Sequence, residues 1–463
     1  MAEMERHISH HLYLLPTTKS ALEARAVLED EVLNPQITTL SIRASLKDVD
    51  KDIKPSWDVP DRVSWMPDLY GDAEKHGLEY NGVLSATFKA MVADIGLFRN
   101  LRRLELTHDE EVDSESTYGP DGKEGREYRE AFFKAAILAL NHPDHPAQHL
   151  HSLSAINIQD ATNYDLVKSP EFKATLSRLD SLELCVVCEG NDACPENEIM
   201  LVERHVFFGS DLQEYWLGPL QGKLVNLKIY SSCLWGYVPK CDFQGLHFPR
   251  LKSLSLGNMT FARDGQLDWI ISHNTLELLT LDDCPILHED MIDHDDRSEW
   301  YKTSEDLESL ELPYKARAHW AYGARWHDYF GKLQRGLPHL QRFGIDHGPW
   351  GTDHVEGYAF APFKAAASLP ARLTRSRYIV FDCGTGPGQW IDPEDSWRDE
   401  YMKVTEFEEQ YDCWDEEDPV PRPLYPDCWD RDQDALDELL AAVESRRAKD
   451  ETLVLRAKSE EVN

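Results

Sequence analysis

The chain has 463 residues, 41% of them hydrophobic, enough for two or three ordinary domains or one long repeat array. Lys and Arg total 48 against 84 Asp and Glu, a formal charge of −36 that repels phosphate backbones, excludes non-specific nucleic-acid binding and favours basic partners. No apolar run reaches the roughly 18 residues of a membrane span, the start MAEMERHISHHLYLLPTTKS is too polar for a signal peptide, and nine cysteines without a secretion signal point to free thiols in cytosol or nucleus.

Residues 1–36 hold one predicted helix. Ser20-Ala21-Leu22-Glu23 has the capping-box pattern, in which a hydroxyl and a carboxylate satisfy two orphan amides reciprocally, and Pro35 ends the helix. A first strand follows at Ile37–Ile42. A polar insertion near 47–80, with Pro55, Pro60, Pro67, Trp57, Trp65 and Tyr70, separates it from a helix predicted over Val83–Leu97. There Leu84, Phe88, Met91 and Ile95 recur at helical spacing. Leu101-Arg102-Arg103-Leu104-Glu105-Leu106 reads as a strand. The charged stretch near 108–130 contains Gly119-Pro120-Asp121-Gly122 and reads as a loop. Phe132–Leu140 reads as an apolar helix, ended by Asn141-His142-Pro143.

From here one pattern organises the chain. Leu-x-x-Leu-x-Leu recurs from Leu179, Leu251, Leu276 and Leu307, with Ile229 completing the copy at Leu224, Phe343 and Ile345 completing that at Leu340, and a blurred copy over Leu150–Ile158. It is clearest in Asp268–Pro285, where Leu276, Leu279 and Leu281 are followed by Cys284, and in Leu251–Asn258. The starts at 224, 251, 276, 307 and 340 step by 27, 25, 31 and 33 residues, near the ~20–29-residue period of leucine-rich repeats. The expected fold is α/β, an irregular leucine-rich-repeat solenoid over 37–390: a parallel β-sheet horseshoe with outer helices. One such unit cannot bury its apolar face alone, so neighbours must stack. Arg377–Phe381 is expected to add a last strand.

Residues 391–463 read as an acidic, aromatic cap and tail. Ile391–Asp434 carries 17 acids against 4 bases, and Trp397, Tyr401, Val404, Phe407, Tyr411 and Trp414 recur at helical spacing. This stretch either covers the open end of the solenoid or docks a basic partner. Asp434–Arg446 is a final amphipathic helix.

Chemistry-bearing motifs are few. Asp382-Cys383-Gly384-Thr385-Gly386-Pro387-Gly388 after an apolar strand is similar to the first motif of S-adenosylmethionine-dependent methyltransferases, whose glycines admit the cofactor. Pro387 and Pro393 break any helix behind it, so a glycine-rich turn is the better reading. Cys185, Cys188 and Cys194, with His205, offer zinc-type donors without a second close pair. His288–Asp296 mixes His and carboxylates in what reads as a solvated loop, and His142, His145, His149 and His151 form a loose group. No catalytic residue, cofactor or metal is expected.

With Leu side chains pointing inward, the intervening residues face the concave side. The central row is Glu105, Glu183, Lys228, Ser255, Thr280, Glu311 and Gly344. Flanking positions include Arg103, Asn226, Tyr230, Asp282, Arg342 and Asp346. This mixed polar face suits protein recognition more than a small molecule.

On Leu251–Asn258, Asp268–His273 leading into Leu276–Cys284, and Arg377–Trp390, the chain resembles the fungal F-box/leucine-rich-repeat-like proteins, over roughly residues 95–395. The resemblance implies a substrate-recognition subunit of a cullin-based ubiquitin ligase. In such proteins an F-box holds a Skp-type adaptor while the repeats hold the substrate. Leu15-Pro16 has the opening of an F-box, but Thr17-Thr18 follows and one helix fits before Ile37, so 1–36 is at most an F-box remnant. The expected function is therefore a non-catalytic protein-interaction module. A stand-alone acidic scaffold for basic proteins is the alternative, and a methyltransferase a remote one.

Overall fold

The structure is a computed structural model of the chain. It describes residues 10–45, 84–109, 126–188, 201–290, 307–310, 319–346, 369–382, 386–391 and 426–461. The insertion near 47–80, the middle of the loop near 108–130, Glu311 and the aromatic stretch 397–414 lie outside them. The chain is α/β and divides into two compact units. The first comprises Met1–Asn191, Ser210–Ser232 and Phe248–Leu251; the second comprises Asp192–Gly209, Cys233–His247 and Lys252–Asn463. No helix among the described residues is long and apolar enough to cross a membrane.

The first unit is built on strands β1 (His11–Leu14), β2 (Thr39–Arg43), β3 (Arg103–Thr107), β4 (Ser152–Gln159), β5 (Ser181–Val187) and β6 (Asn226–Trp235, up to Ser232 in this unit). They pair in that order, every neighbour parallel. Parallel neighbours need a crossover, and among the crossover helices are α1 (Thr18–Glu29), α2 (Ala86–Ala93), α3 (Arg126–Leu140) and α4 (Pro170–Leu176). Strand periodicity and register together make the core. Leu40, Leu104, Leu153, Leu182 and Leu227 form one row, and Ile42, Leu106, Ala155, Leu184 and Ile229 the next. All are fully buried, each larger side chain contributing about 1.5–3 kcal/mol.

Three local features depart from the sequence expectation. First, α1 is capped by Thr17, whose hydroxyl accepts from the Ser20 amide, while Ser20 Oγ accepts from the Leu15 amide. The helix thus starts three residues before the expected box. Second, β1 precedes it, so residues 11–43 form a strand–helix–strand unit of the sheet and Leu15-Pro16 is its turn. Third, the blurred copy at Leu150 is a β-bulge. The β4–β5 register shifts between Ile156 and Ile158, with Asn157 at φ 61°. The left-handed region is one that Asn tolerates. The Asn157 side chain donates to the His108 carbonyl and accepts from Cys185.

In the second unit β7 (Ser253–Met259) and β8 (Leu278–Asp282) carry the same pattern. Left-handed residues follow again, Asn258 at φ 58° and Asp283 at φ 49°. The chain then leaves the ladder. β9 (Ile286–Asp290), β10 (Leu307–Leu310) and β11 (His319–Tyr322) enter a second sheet, before β12 (Arg342–Asp346) returns to pair in parallel with β8. Leu254, Leu279 and Phe343 share one row, and Leu256, Leu281 and Ile345 the next.

The Leu307 copy is therefore not a ladder strand. It pairs antiparallel with β11, register Leu307↔Tyr322 to Leu310↔His319, because the pattern alone does not fix the partner. The strand expected at Arg377–Phe381 is β13 (Tyr378–Asp382), and it too belongs to the second sheet, ordered β10-β11-β9-β13-β14. β14 (Gly386–Ile391) runs antiparallel to β13. Gly386 and Gly388 of the glycine-rich motif thus lie in a strand, where a dinucleotide-type loop would open a helix.

Helices α5 (Asp264–Ser272), α6 (Trp326–Gly336) and α7 (Trp429–Glu461) complete this unit. α7 extends the expected Asp434–Arg446 helix at both ends. It packs on α6 and buries Leu436, Leu439 and Val443. Gln334 donates to the Glu438 carbonyl at 3.1 Å, and Arg446 to the Gln334 carbonyl at 2.7 Å.

Candidate functional site

The face of the first unit's sheet opposite the leucine rows carries polar side chains in register. Tyr13, Ser41, Glu105, Ser154, Glu183 and Lys228 lie side by side on six successive strands. His11, Thr39, Arg103, Ser152, Ser181 and Asn226 form the row before them. Parallel strands stand about 4.8 Å apart, so long side chains on neighbouring or next-neighbouring strands can meet.

They meet at Glu183, whose side chain is 6% exposed. Its Oε2 accepts from Arg103 Nη2 at 2.6 Å and from Ser154 Oγ at 2.6 Å. Its Oε1 pairs with Lys228 Nζ at 2.7 Å. Arg103 also donates to Ser154 at 2.9 Å and lies 3.7 Å from Glu105. Burial pushes the Glu183 pKa up, but the charges of Lys228 and Arg103, with hydrogen bonds from Lys228 and Ser154, outweigh it and hold the carboxyl below its ordinary value. The anion is thus fixed at neutral pH. It in turn fixes two cations whose side chains stay 33% and 22% exposed.

At the β1 edge His11 stacks on Tyr13 with ring centroids 4.1 Å apart and bonds Ser41 Oγ at 2.7 Å. Burial lowers the His11 pKa; Glu105 opposes this and Arg103 reinforces it. Tyr13 is 65% exposed. The face therefore grades from an exposed aromatic edge to a rigid ion-pair network, an arrangement that can hold a polypeptide by ring contacts and charge-assisted hydrogen bonds.

Of the twelve candidate side chains, the structure gathers Arg103, Glu105, Glu183 and Lys228 into this network, with Asn226 beside it on β6. Ser154, His11 and Tyr13 escaped sequence reading: Ser154 sits in the bulged copy, and β1 has no leucine signature. Tyr230 is fully buried in the Cys185 row. In the second unit Ser255, Thr280, Asp282 and Asp346 are buried as well. There the row Ser255–Thr280–Gly344 ends against residues 369–372, which run beside β12 through hydrogen bonds from Ile345 to Pro370 and from Arg372 to Ile345. A Cβ on Gly344 would lie 3.0 Å from the Leu369 carbonyl oxygen, so glycine allows this approach. Arg342 is exposed, and Arg372 pairs with Asp346 at 3.0 Å.

Of the other motifs, Cys185 bonds Asn157 at 3.3 Å and Cys188 contacts Ser231 Oγ at 3.6 Å, while Cys194 lies outside the described residues. The described part of His288–Asp296 is strand β9 rather than a solvated loop. Its Glu289 is buried, which raises the pKa to about 7 against the opposing charge of Arg325. Asp290 accepts from the Tyr237 hydroxyl.

The chain matches no protein-family model and no curated protein.

Proposed function

We propose that this protein is a non-catalytic protein-interaction module, an irregular leucine-rich-repeat solenoid that holds a polypeptide partner on the polar sheet face of its first unit. One observation carries the reading: Glu183 fixes the partly exposed Arg103 and Lys228 in a hydrogen-bonded network on the sheet face that carries the exposed Tyr13 at its β1 edge. Pre-ordered cations and a rigid aromatic lose little conformational entropy on binding. The repeat-type reading is supported by parallel register of the leucine rows and by left-handed Asn or Asp after the copies at Leu150, Leu251 and Leu276.

The test is affinity capture of the tagged chain from its own cells, alongside the R103Q/E183Q/K228Q triple variant, which removes both cations together with their buried anion. The expected result is a partner recovered with the parent chain and lost with the variant, both chains having the same circular dichroism. A partner retained by the variant would place binding elsewhere. Within this class, a ubiquitin-ligase substrate receptor is the specific role that the family resemblance implies. Capture of a Skp-type adaptor and a cullin supports it, and their absence from an otherwise productive capture removes it. The charge of −36 favours the second reading, an acidic scaffold for basic proteins. That reading requires capture to weaken steeply with salt.

A further inference from the structure

At the foot of α7 a second polar cluster sits in the second unit, away from the leucine rows. Cys428 immediately precedes the helix, and Asp432 lies four residues on, on the same face. His327 is in the first turn of α6. Asp432 is fully buried. Its Oδ1 lies 2.6 Å from His327 Nδ1 and accepts from the His327 amide at 3.0 Å. Its Oδ2 accepts from the Tyr378 hydroxyl at 2.8 Å and from Cys428 Sγ at 3.3 Å. Tyr378 Oη and Cys428 Sγ are 3.4 Å apart.

We propose that His327 Nδ1, Cys428 Sγ and an Asp432 carboxylate oxygen form a binding site for a zinc-type divalent ion that fastens α7 to α6, with Tyr378 Oη or a water in the fourth position. One ligand atom from each of the three side chains lies within 4.8 Å of the others. Ligands around a tetrahedral zinc, bonded at about 2.0–2.3 Å, stand about 3.3–3.8 Å from one another. Cys428 Sγ lies 3.3 Å from Asp432 Oδ2 and His327 Nδ1 lies 2.6 Å from Oδ1, so the two side chains meet opposite oxygens of one carboxylate, and binding through a single oxygen requires the carboxylate to rotate between them.

The donor set, one thiol, one imidazole and one carboxylate, selects a borderline-soft ion over calcium or magnesium. His327 Nε2 lies 3.8 Å from Asp328 Oδ1, beyond hydrogen-bond reach but close enough for the carboxylate charge to favour an imidazole proton on Nε2 while Nδ1 takes the metal. Binding converts the Cys428 thiol to a thiolate and releases one proton. The imidazole proton moves from Nδ1 to Nε2 without net loss. The opposing term is Arg377, 3.3 Å from Asp432 Oδ2 and stacked on Trp429 at 4.0 Å. The new thiolate charge offsets it.

The experiment is titration of the chelator-treated full-length protein with Co2+, read by absorption. A saturable thiolate-to-cobalt charge-transfer band with tetrahedral d–d bands, lost in both C428S and H327Q and displaced by Zn2+, is the expected result. Circular dichroism of the two variants should match the parent, because serine and glutamine keep a hydrogen-bonding group at each position. The proposal is overturned if no such band forms, or if the band survives in C428S, which would assign it to another cysteine.

Discussion

Glu183 holds its neighbours as much as they hold it. Removing its charge leaves Arg103 and Lys228 without their shared anion. Glu183→Gln should therefore lower stability by about 2 kcal/mol, the scale of hydrogen bonds to a charged group, and weaken partner capture; denaturant unfolding and the capture assay read the two effects. Glu289 acts in the opposite sense. Its folded pKa near 7 stands above the ordinary 4.5. The folded state therefore keeps a proton that the unfolded chain loses in that window, and stability present below the ordinary value declines as pH rises towards 7. Glu289→Gln should thus raise the melting temperature more at about pH 8 than at about pH 5. Equal shifts at both pH values would show that Glu289 does not titrate in the window.

Among the elements, the strands were legible where Leu and polar residues alternate. β3, β5, β6, β7, β8 and β12 fall where the pattern puts them, because period-two alternation fixes both the strand and its buried face. β1 was not legible: His11–Leu14 is too short to show alternation, and its place is fixed by pairing with β2. β10 was misassigned because Leu307-x-x-Leu310 satisfies the pattern, while antiparallel pairing with β11 decides its place. Likewise the first unit's polar row was readable from Glu105, Glu183 and Lys228, whereas in the second unit the burial of Thr280 and Asp346 was not readable, because residues 369–372, which run beside β12, come from far along the chain. The left-handed residue at the copies from Leu150, Leu251 and Leu276 gives a prediction at this scale. Asp283→Val forces a β-branched residue into φ 49° and should cost about 1–2 kcal/mol, whereas Asp283→Asn should be near neutral. Thermal unfolding of both variants separates backbone conformation from side-chain charge.

For the whole molecule, the charge of −36 sets which contacts can be long-ranged. A scaffold acting through diffuse acidity should lose its partner when salt rises from about 0.05 to 0.5 M, since the screening length then shrinks to a few ångströms. A partner seated on the Glu183 network should lose less, because its contacts are short and partly desolvated. The most direct test puts a photo-crosslinking amino acid at Glu105, at the centre of the polar face, and separately at Leu22, 56% exposed on α1, as a control. Illumination in the protein's own cells should join the partner to the Glu105 probe and leave the Leu22 probe unreacted. Crosslinks from Leu22 alone, or from neither site while the partner is still captured, would contradict the sheet face as the binding surface.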